Sequence, residues 1–276
     1  MKDHERERRS VFRSAERDAD AAERTPQTPQ TQAPAYRLAY TDLDFLERDE
    51  LRPVRLQLEL MKPQLIMEDH GIESTVVFFG GARIPPPELR ETARTETQAG
   101  LTKYYEEARK LGRLVGEESV RRYGRQYVVA TGGGPGVMEA ANMGAHEAGA
   151  PSLGLNIVVE HEQAPNAYVT PAFSFNFHYF GIRKMHFLMR AKAVAVFPGG
   201  FGTLDELFET LTLIQTRRME RVPVLLFGRD FWTRIVDWEA LADAGTIAAT
   251  DLELFHMVET AEEGWAILKP AIDAED

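Results

Sequence analysis

Cysteine is absent from this chain of 276 residues, which removes disulfides, thiolate metal sites and cysteine nucleophiles together. Long apolar runs are missing too, and none approaches the roughly 20 residues a helix needs to span a bilayer. The opening stretch MKDHERERRS holds no apolar segment of the secretion-signal kind. Positive charge is in deficit, with 32 Lys and Arg against 43 Asp and Glu and a formal charge of −11. General binding to nucleic acid or to an anionic membrane needs a field of cations, so neither partner is expected. A local basic pocket stays open, because a sum says nothing about placement. These absences lead to the expectation of a soluble, cytoplasmic protein. What is present is ordinary for a globular chain, 43% hydrophobic and 27% charged residues, enough for one large core or two small ones.

Residues 1–35 differ from the rest. Charge dominates up to Arg24, and TPQTPQTQAP follows from Thr25 to Pro34, with only Val11 and Phe12 able to anchor anything. Burial there cannot offset the entropy of ordering, so the segment reads as a disordered tail. Residues 36–72 read as a helical extension, in which Leu56, Leu60 and Leu65 recur at helical spacing while Pro53 and Pro63 interrupt. Proline removes a helical hydrogen bond and clashes one turn back, which predicts short or kinked helices there.

From residue 73 to 276 strands and helices alternate. TVVFFGG, Tyr127–Ala130, Leu153–Val159, Ala193–Phe197 and Val222–Phe227 read as strands. Leu101–Arg122, Val137–Glu147, Ile182–Ala191, a segment with Leu204, Leu207, Phe208, Leu211 and Ile214 on one face, and Val258–Leu268 read as helices, with His161–Ala172 as a loop. Apolar strands without alternation are covered on both faces, and βα alternation implies parallel pairing with right-handed crossovers. The expected fold class is α/β, a doubly wound Rossmann-like parallel sheet with an N-terminal helical extension. Ligands of such sheets sit outside the carboxyl ends of the strands.

Two glycine-rich turns fall at that edge, Thr131-Gly132-Gly133-Gly134-Pro135-Gly136 and Pro198-Gly199-Gly200-Phe201-Gly202-Thr203, each between a strand and a helix. Glycine permits positive φ and close approach of an anion, and a helix amino terminus offers free N–H groups. Tight βα turns also need glycine for steric reasons alone, so the pair of turns argues for a phosphate more strongly than either one. Neither turn completes G-x-G-x-x-G, because the third glycine would fall at Val137 or Glu139 in the first and at Asp205 in the second. No G-x-x-x-x-G-K-[ST] occurs either. A mononucleotide or sugar phosphate therefore fits better than NAD or ATP.

Asp205 and Glu206 lie just inside the second helix, where its dipole favours carboxylates. For Asp205 the helix-start preference is explanation enough. Glu206 can point back at a bound phosphosugar, to stabilise a cationic ring or activate water. Arg183 and Lys184 are adjacent cations of the kind usually solvated, yet near a phosphate pocket they would supply its countercharge. His178 and His186 read as packing or surface residues. H-E-x-x-H fails at Ala150 and Pro165, and no G-x-S-x-G exists. No metal ligand set is evident and no cofactor is expected.

Arg183-Lys184-x-x-Phe187, followed by Pro198-Gly199-Gly200-Phe201-Gly202-Thr203-Leu204-Asp205-Glu206, with TGGGPGVMEAAN upstream, resembles the LOG ("Lonely guy") family of cytokinin-activating nucleotide phosphoribohydrolases. The likeness spans about Ser74 to Leu268, as in one of the family's longer members. It implies hydrolysis of the N-glycosidic bond of a nucleoside 5′-monophosphate, AMP or a cytokinin riboside monophosphate, to free base and ribose 5-phosphate. By position Glu206 and Arg183 match the family's catalytic pair, and Gly199, Gly200, Gly202 and Thr203 match its phosphate-binding turn. Gly132, Gly133 and Gly134 would line the ribose-phosphate side, with Lys184 beside them. A homodimer or larger homo-oligomer is also implied. Proteins of this family have often been labelled lysine decarboxylases, a label the sequence does not support. A non-catalytic carrier of a nucleotide or molybdenum cofactor on the same fold is the competing reading, and a nucleotide sensor using the acidic tail is a third.

Overall fold

A computed structural model of the chain describes residues 11–159 and 164–274. The first ten residues of the expected tail and positions 161–163 of the expected loop lie outside them. The chain divides into two compact units, Met1–Leu58 and Glu59–Asp276.

In the first unit α1 spans Ala15–Glu23 and α2 Leu43–Leu46. Helix α1 falls in the segment whose composition reads as a tail. It forms locally because AERDADAAE is rich in alanine, Ser14 caps it by accepting from Arg17 N, and Glu16 and Asp18 occupy its first turn. None of its residues is buried. Arg55 Nη1 donates to the carbonyls of Leu46 at 2.7 Å and Arg48 at 2.6 Å.

Helix α3, Arg52–Asp69, is one element of 18 residues rather than the short pieces the prolines predict. Pro53 sits in the first turn, where the N–H it lacks would be unpaired anyway. Pro63 is interior and buried. Lacking an N–H, it leaves the carbonyl four residues earlier, Glu59 O, without a helical donor. His186 Nε2 fills that place at 3.2 Å, so the helix continues past its proline.

The second unit runs β1 (Thr75–Phe79), α4 (Glu96–Gly100), α5 (Lys103–Arg121), β2 (Val128–Thr131), α6 (Val137–Glu147), β3 (Ser152–Ile157) and β4 (Ser174–Phe177). It continues with α7 (Phe180–Leu188), β5 (Ala191–Val196), α8 (Phe201–Gln215), β6 (Val224–Phe227), α9 (Arg229–Ile235), α10 (Trp238–Asp243), β7 (His256–Val258) and α11 (Ala261–Asp273). The strands form a 7-stranded sheet in the order β4-β3-β2-β1-β5-β6-β7, with every pairing parallel. This bears out the doubly wound α/β reading.

Alternate residues of one strand serve opposite layers. Val76 and Phe78 join a core with Leu111 of α5, Ala141 of α6 and Leu268 of α11. Val77 and Phe79 join another with Met67 of α3, Phe187 of α7 and Leu207 of α8. Strands β4 and β7, absent from the sequence reading, are the two edges. Ser-Phe-Asn-Phe of β4 alternates exposed and buried, the pattern of an edge strand with one face to solvent, and β7 is only three residues long. From β1 the chain winds outward to β4, then returns to the other side of β1 as β5. The loops after β1 and β5 therefore lead to helices on opposite faces, α5 and α8, and the ligand crevice of a doubly wound sheet belongs at the carboxyl edge of that switch point.

Candidate functional site

Three glycine turns meet at that crevice. After β1 come Gly80 and Gly81, after β2 Gly132–Gly136, and after β5 Gly199–Gly202. Gly81 N donates to Pro198 O at 2.9 Å, while Gly81 O accepts from Val137 N at 3.3 Å. One residue thus ties the other two turns together. A Cβ on Gly80 would stand 2.5 Å from Val137 Cγ1, and one on Gly136 would collide with Gly81 O. Gly133 and Gly136 also hold φ of +75° and +71°, which a side chain would strain. In the sequence Gly80 and Gly81 read only as the end of a strand. The signal was the doublet itself, closing β1 as the other turns close β2 and β5.

The glycines of the β5–α8 turn fall into two groups. A Cβ on Gly199 would collide with Thr203, a buried residue of the first turn of α8, so packing explains Gly199. Gly200 and Gly202 have open space where a Cβ would project, and neither has positive φ. Nothing in the fold requires glycine at those two positions.

Helix α7 delivers Arg183 to the crevice. Its amino end is held by Glu59 of α3, whose two carboxylate oxygens accept from His178 N at 2.7 Å and Tyr179 N at 3.0 Å. A carboxylate is favoured at that pole of a helix. Further along, Arg190 pairs with Glu68 at 3.7 Å. Arg183 is itself buried. Its Nε donates to Leu155 O at 2.6 Å, its Nη1 lies 3.4 Å from Glu206 Oε1, and its plane stands 5.0 Å from the Phe187 ring. A Cβ on Gly132 would fall 2.7 Å from its Nη2. The structure therefore brings Arg183, Glu206 and Gly132 together from three elements.

Burial raises the Glu206 carboxyl to about 7, and the nearby Arg183 guanidinium only partly opposes that rise. Desolvation disfavours the anion more than one cation restores it. A carboxyl poised near neutrality in a crevice can take up or release a proton during a reaction.

Lys184 points elsewhere. Its Nζ lies 3.2 Å from Asp205 and 3.2 Å from Glu209, both on α8. Burial pulls its ammonium down, but the bonds to these two carboxylates outweigh it and hold the group above its ordinary range. His178 and His186 serve α7 itself. Burial lowers the His186 imidazole, which as the neutral form donates from Nε2 to Glu59 O. Among the described residues no group of three or more His, Asp or Glu is placed to hold a metal ion, and no helix is long and apolar enough to cross a membrane.

A cleft of about 790 Å³ lies at the opposite, amino edge of the sheet, between Val76, Ala191, Pro223, Met189, Leu213 and Ile272. It reaches none of the three glycine turns and not the Arg183–Glu206 pair. Ligand-binding loops of a parallel sheet gather at the carboxyl edge, so the crevice of the three turns is the candidate site.

Residues 138–268 match the family model described as "Possible lysine decarboxylase". That is the label under which LOG proteins have often been placed, and the matched region holds both Arg183-Lys184 and the Pro198–Glu206 element, which bears out the resemblance. No curated protein matches the chain. Among solved structures, the structural-genomics protein TM1055 is similar at 22% identity and a TM-score of 0.46, over 71% of this chain and 99% of that one. A molybdenum cofactor carrier protein from Chlamydomonas reinhardtii is similar at 17% identity and a TM-score of 0.42, over 73% of this chain and 99% of that one. The decarboxylase label implies pyridoxal phosphate, which needs a lysine that can shed its proton. Lys184, fixed as an ammonium between two carboxylates, does not fit that group.

Proposed function

We propose that this protein hydrolyses the N-glycosidic bond of a nucleoside 5′-monophosphate, AMP or a cytokinin riboside monophosphate, releasing free base and ribose 5-phosphate. The observation that carries the reading is the buried pairing of Arg183 with Glu206 at 3.4 Å, beside glycine turns that suit a phosphate. As the C1′–N bond breaks, its electron pair leaves with the base and positive charge develops on the ribose. An ionised Glu206 stabilises that charge more than it stabilises the bound substrate. Water then adds at C1′ and passes its proton to the carboxylate, which returns it to the departed base, so that the base leaves neutral and Glu206 is ionised again.

Gly200 and Gly202 let the phosphate approach the amino end of α8 without meeting a side chain, with Gly199 and Thr203 shaping the turn beneath. Gly132, Gly133 and Gly134 face the ribose-phosphate side. Arg183, held by Leu155 O and by Glu206, brings a fixed positive charge to the Gly132 side of the turn, where it complements an anionic ligand. In this reading Lys184 tethers α7 to α8 and reaches the phosphate only through that placement. Residues 73–276 form the catalytic domain, 36–72 a helical extension and 1–35 a tail, and the enzyme acts as a homodimer or larger homo-oligomer.

Incubation with AMP, GMP, CMP and isopentenyl-AMP, followed by chromatography of free base, tests the proposal. Glu206→Gln is expected to keep nucleotide binding and lose turnover by about 10²–10³, as removal of one transition-state group typically does. Near-wild-type release of adenine by that variant would refute the assignment. Tight nucleotide binding by the native protein with no base released from any substrate would favour the carrier reading.

A further inference from the structure

The first glycine turn is held by a residue far along the chain. Asn166, on the connection from β3 to β4, donates its main-chain N–H to Gly133 O at 2.8 Å. Its side-chain amide lies 3.1 Å from Gly133 O, 3.0 Å from Gly134 O and 3.0 Å from Asn142 Oδ1. Its Oδ1 in turn accepts from Tyr168 N at 3.2 Å. Below the turn, the fully buried Asn142 accepts from Thr131 Oγ1 at 2.7 Å, and that oxygen accepts from Gly133 N at 2.9 Å.

A trans peptide is planar, with its N–H directed opposite to its C=O. Turning Gly133 O toward Asn166 therefore turns Gly134 N–H away from it. The next peptide, whose carbonyl is Gly134 O, ends on Pro135 and has no N–H to offer. Among the described residues Gly134 N donates to no acceptor. A backbone donor without a partner in a pocket suits an anion, whereas carbonyl oxygens turned the same way would repel one.

We infer that Asn166 is a positioning residue of the site, drawing the Gly133 and Gly134 carbonyls to itself so that the Gly134 N–H faces the phosphate of the ligand. The inference rests on the nucleotide reading of the crevice. Only an amide fits the role, because it supplies two hydrogens for clustered acceptors and one oxygen for Tyr168 N. Aspartate keeps the oxygen and the shape but has no donor, and it sets a negative charge against two carbonyls.

The test uses the full-length protein with Asn166→Asp and Asn166→Ser, the latter keeping a single donor should the former fail to fold. Calorimetry gives affinities for AMP and for ribose 5-phosphate on the Glu206→Gln background, and steady-state kinetics on the native background gives kcat and KM. Asn166→Asp is expected to weaken both ligands about tenfold or more, the scale of a lost charge-assisted hydrogen bond. Asn166→Ser should fall between it and the parent, with kcat at saturation within about threefold of the parent. Unchanged affinities in a folded variant, or a loss confined to kcat, would overturn the role while leaving the hydrolase reading intact. If the parent binds neither ligand, the nucleotide reading fails and the role of Asn166 with it. If the parent binds both and releases no base, the hydrolase reading alone fails, and the affinities still decide on Asn166.

Discussion

Glu206 can be recognised as interesting from its place one turn beyond a glycine loop, but its state could not. Its carboxyl is raised to about 7 because burial disfavours the anion, and burial is set by residues far away in sequence. The mechanism needs the ionised form. Activity on AMP should therefore be low at pH 5, rise through about 7 and level off above it, as a pH profile of kcat/KM would show. The sign for stability is the reverse. A carboxyl whose folded value lies above its ordinary 4.5 favours folding below that ordinary value and loses the contribution as pH climbs through about 7. Glutamine mimics the neutral form, so Glu206→Gln should stabilise the protein at pH 8 and lose that advantage by pH 4.5, as urea titrations at the two pH values would report. The glycines divide in a similar way. Gly202→Ala meets open space in the first turn of α8, so it should leave stability unchanged or raise it by about 0.5–1 kcal/mol while raising KM. Gly133→Ala faces positive φ and the Asn156 side chain and should lower the melting temperature. The sequence pattern marks all these glycines alike, and only their surroundings separate those the backbone needs from those a ligand would need.

Among the elements, the helices most legible beforehand were those with a clean apolar face. Val137–Glu147 was expected with the bounds it has. The strands were legible wherever both faces are buried, as in Val-Leu-Leu-Phe of β6. Edge strands escaped because β4 alternates and β7 is too short to show a period. Nor could the sequence show how α7 is seated, since Glu59 lies 119 positions before His178, whose N–H it accepts. Glu59→Ala removes both carboxylate acceptors at the amino end of α7 and should cost about 1–2 kcal/mol of stability. Loss of kcat/KM should accompany it, because Arg183 rides on that helix. Urea unfolding monitored with an AMP assay would show both effects, and unchanged stability would mean that solvent satisfies the two N–H groups equally well.

At the scale of the whole molecule, βα alternation and unbroken apolar strands were enough to name a doubly wound sheet. Strand order was not legible, because it depends on where the chain reverses, and the reversal between β4 and β5 carries no local signature. The candidate site was half legible for the same reason. The turns after β2 and β5 stand out in sequence, but their union through Gly81 exists only once β1 lies between β2 and β5 in the sheet. Pro63 shows how far such a union can reach. By withholding one hydrogen from α3 it leaves a vacancy on Glu59 O, and an imidazole of α7 has moved in. Pro63→Ala would mend α3 from within and compete with that tenant for Glu59 O, weakening the hold on a buried imidazole whose Nδ1 has no partner. A better helix former should therefore yield a protein no harder to melt, a result scanning calorimetry would register, because what one helix gains within itself its neighbour gives up.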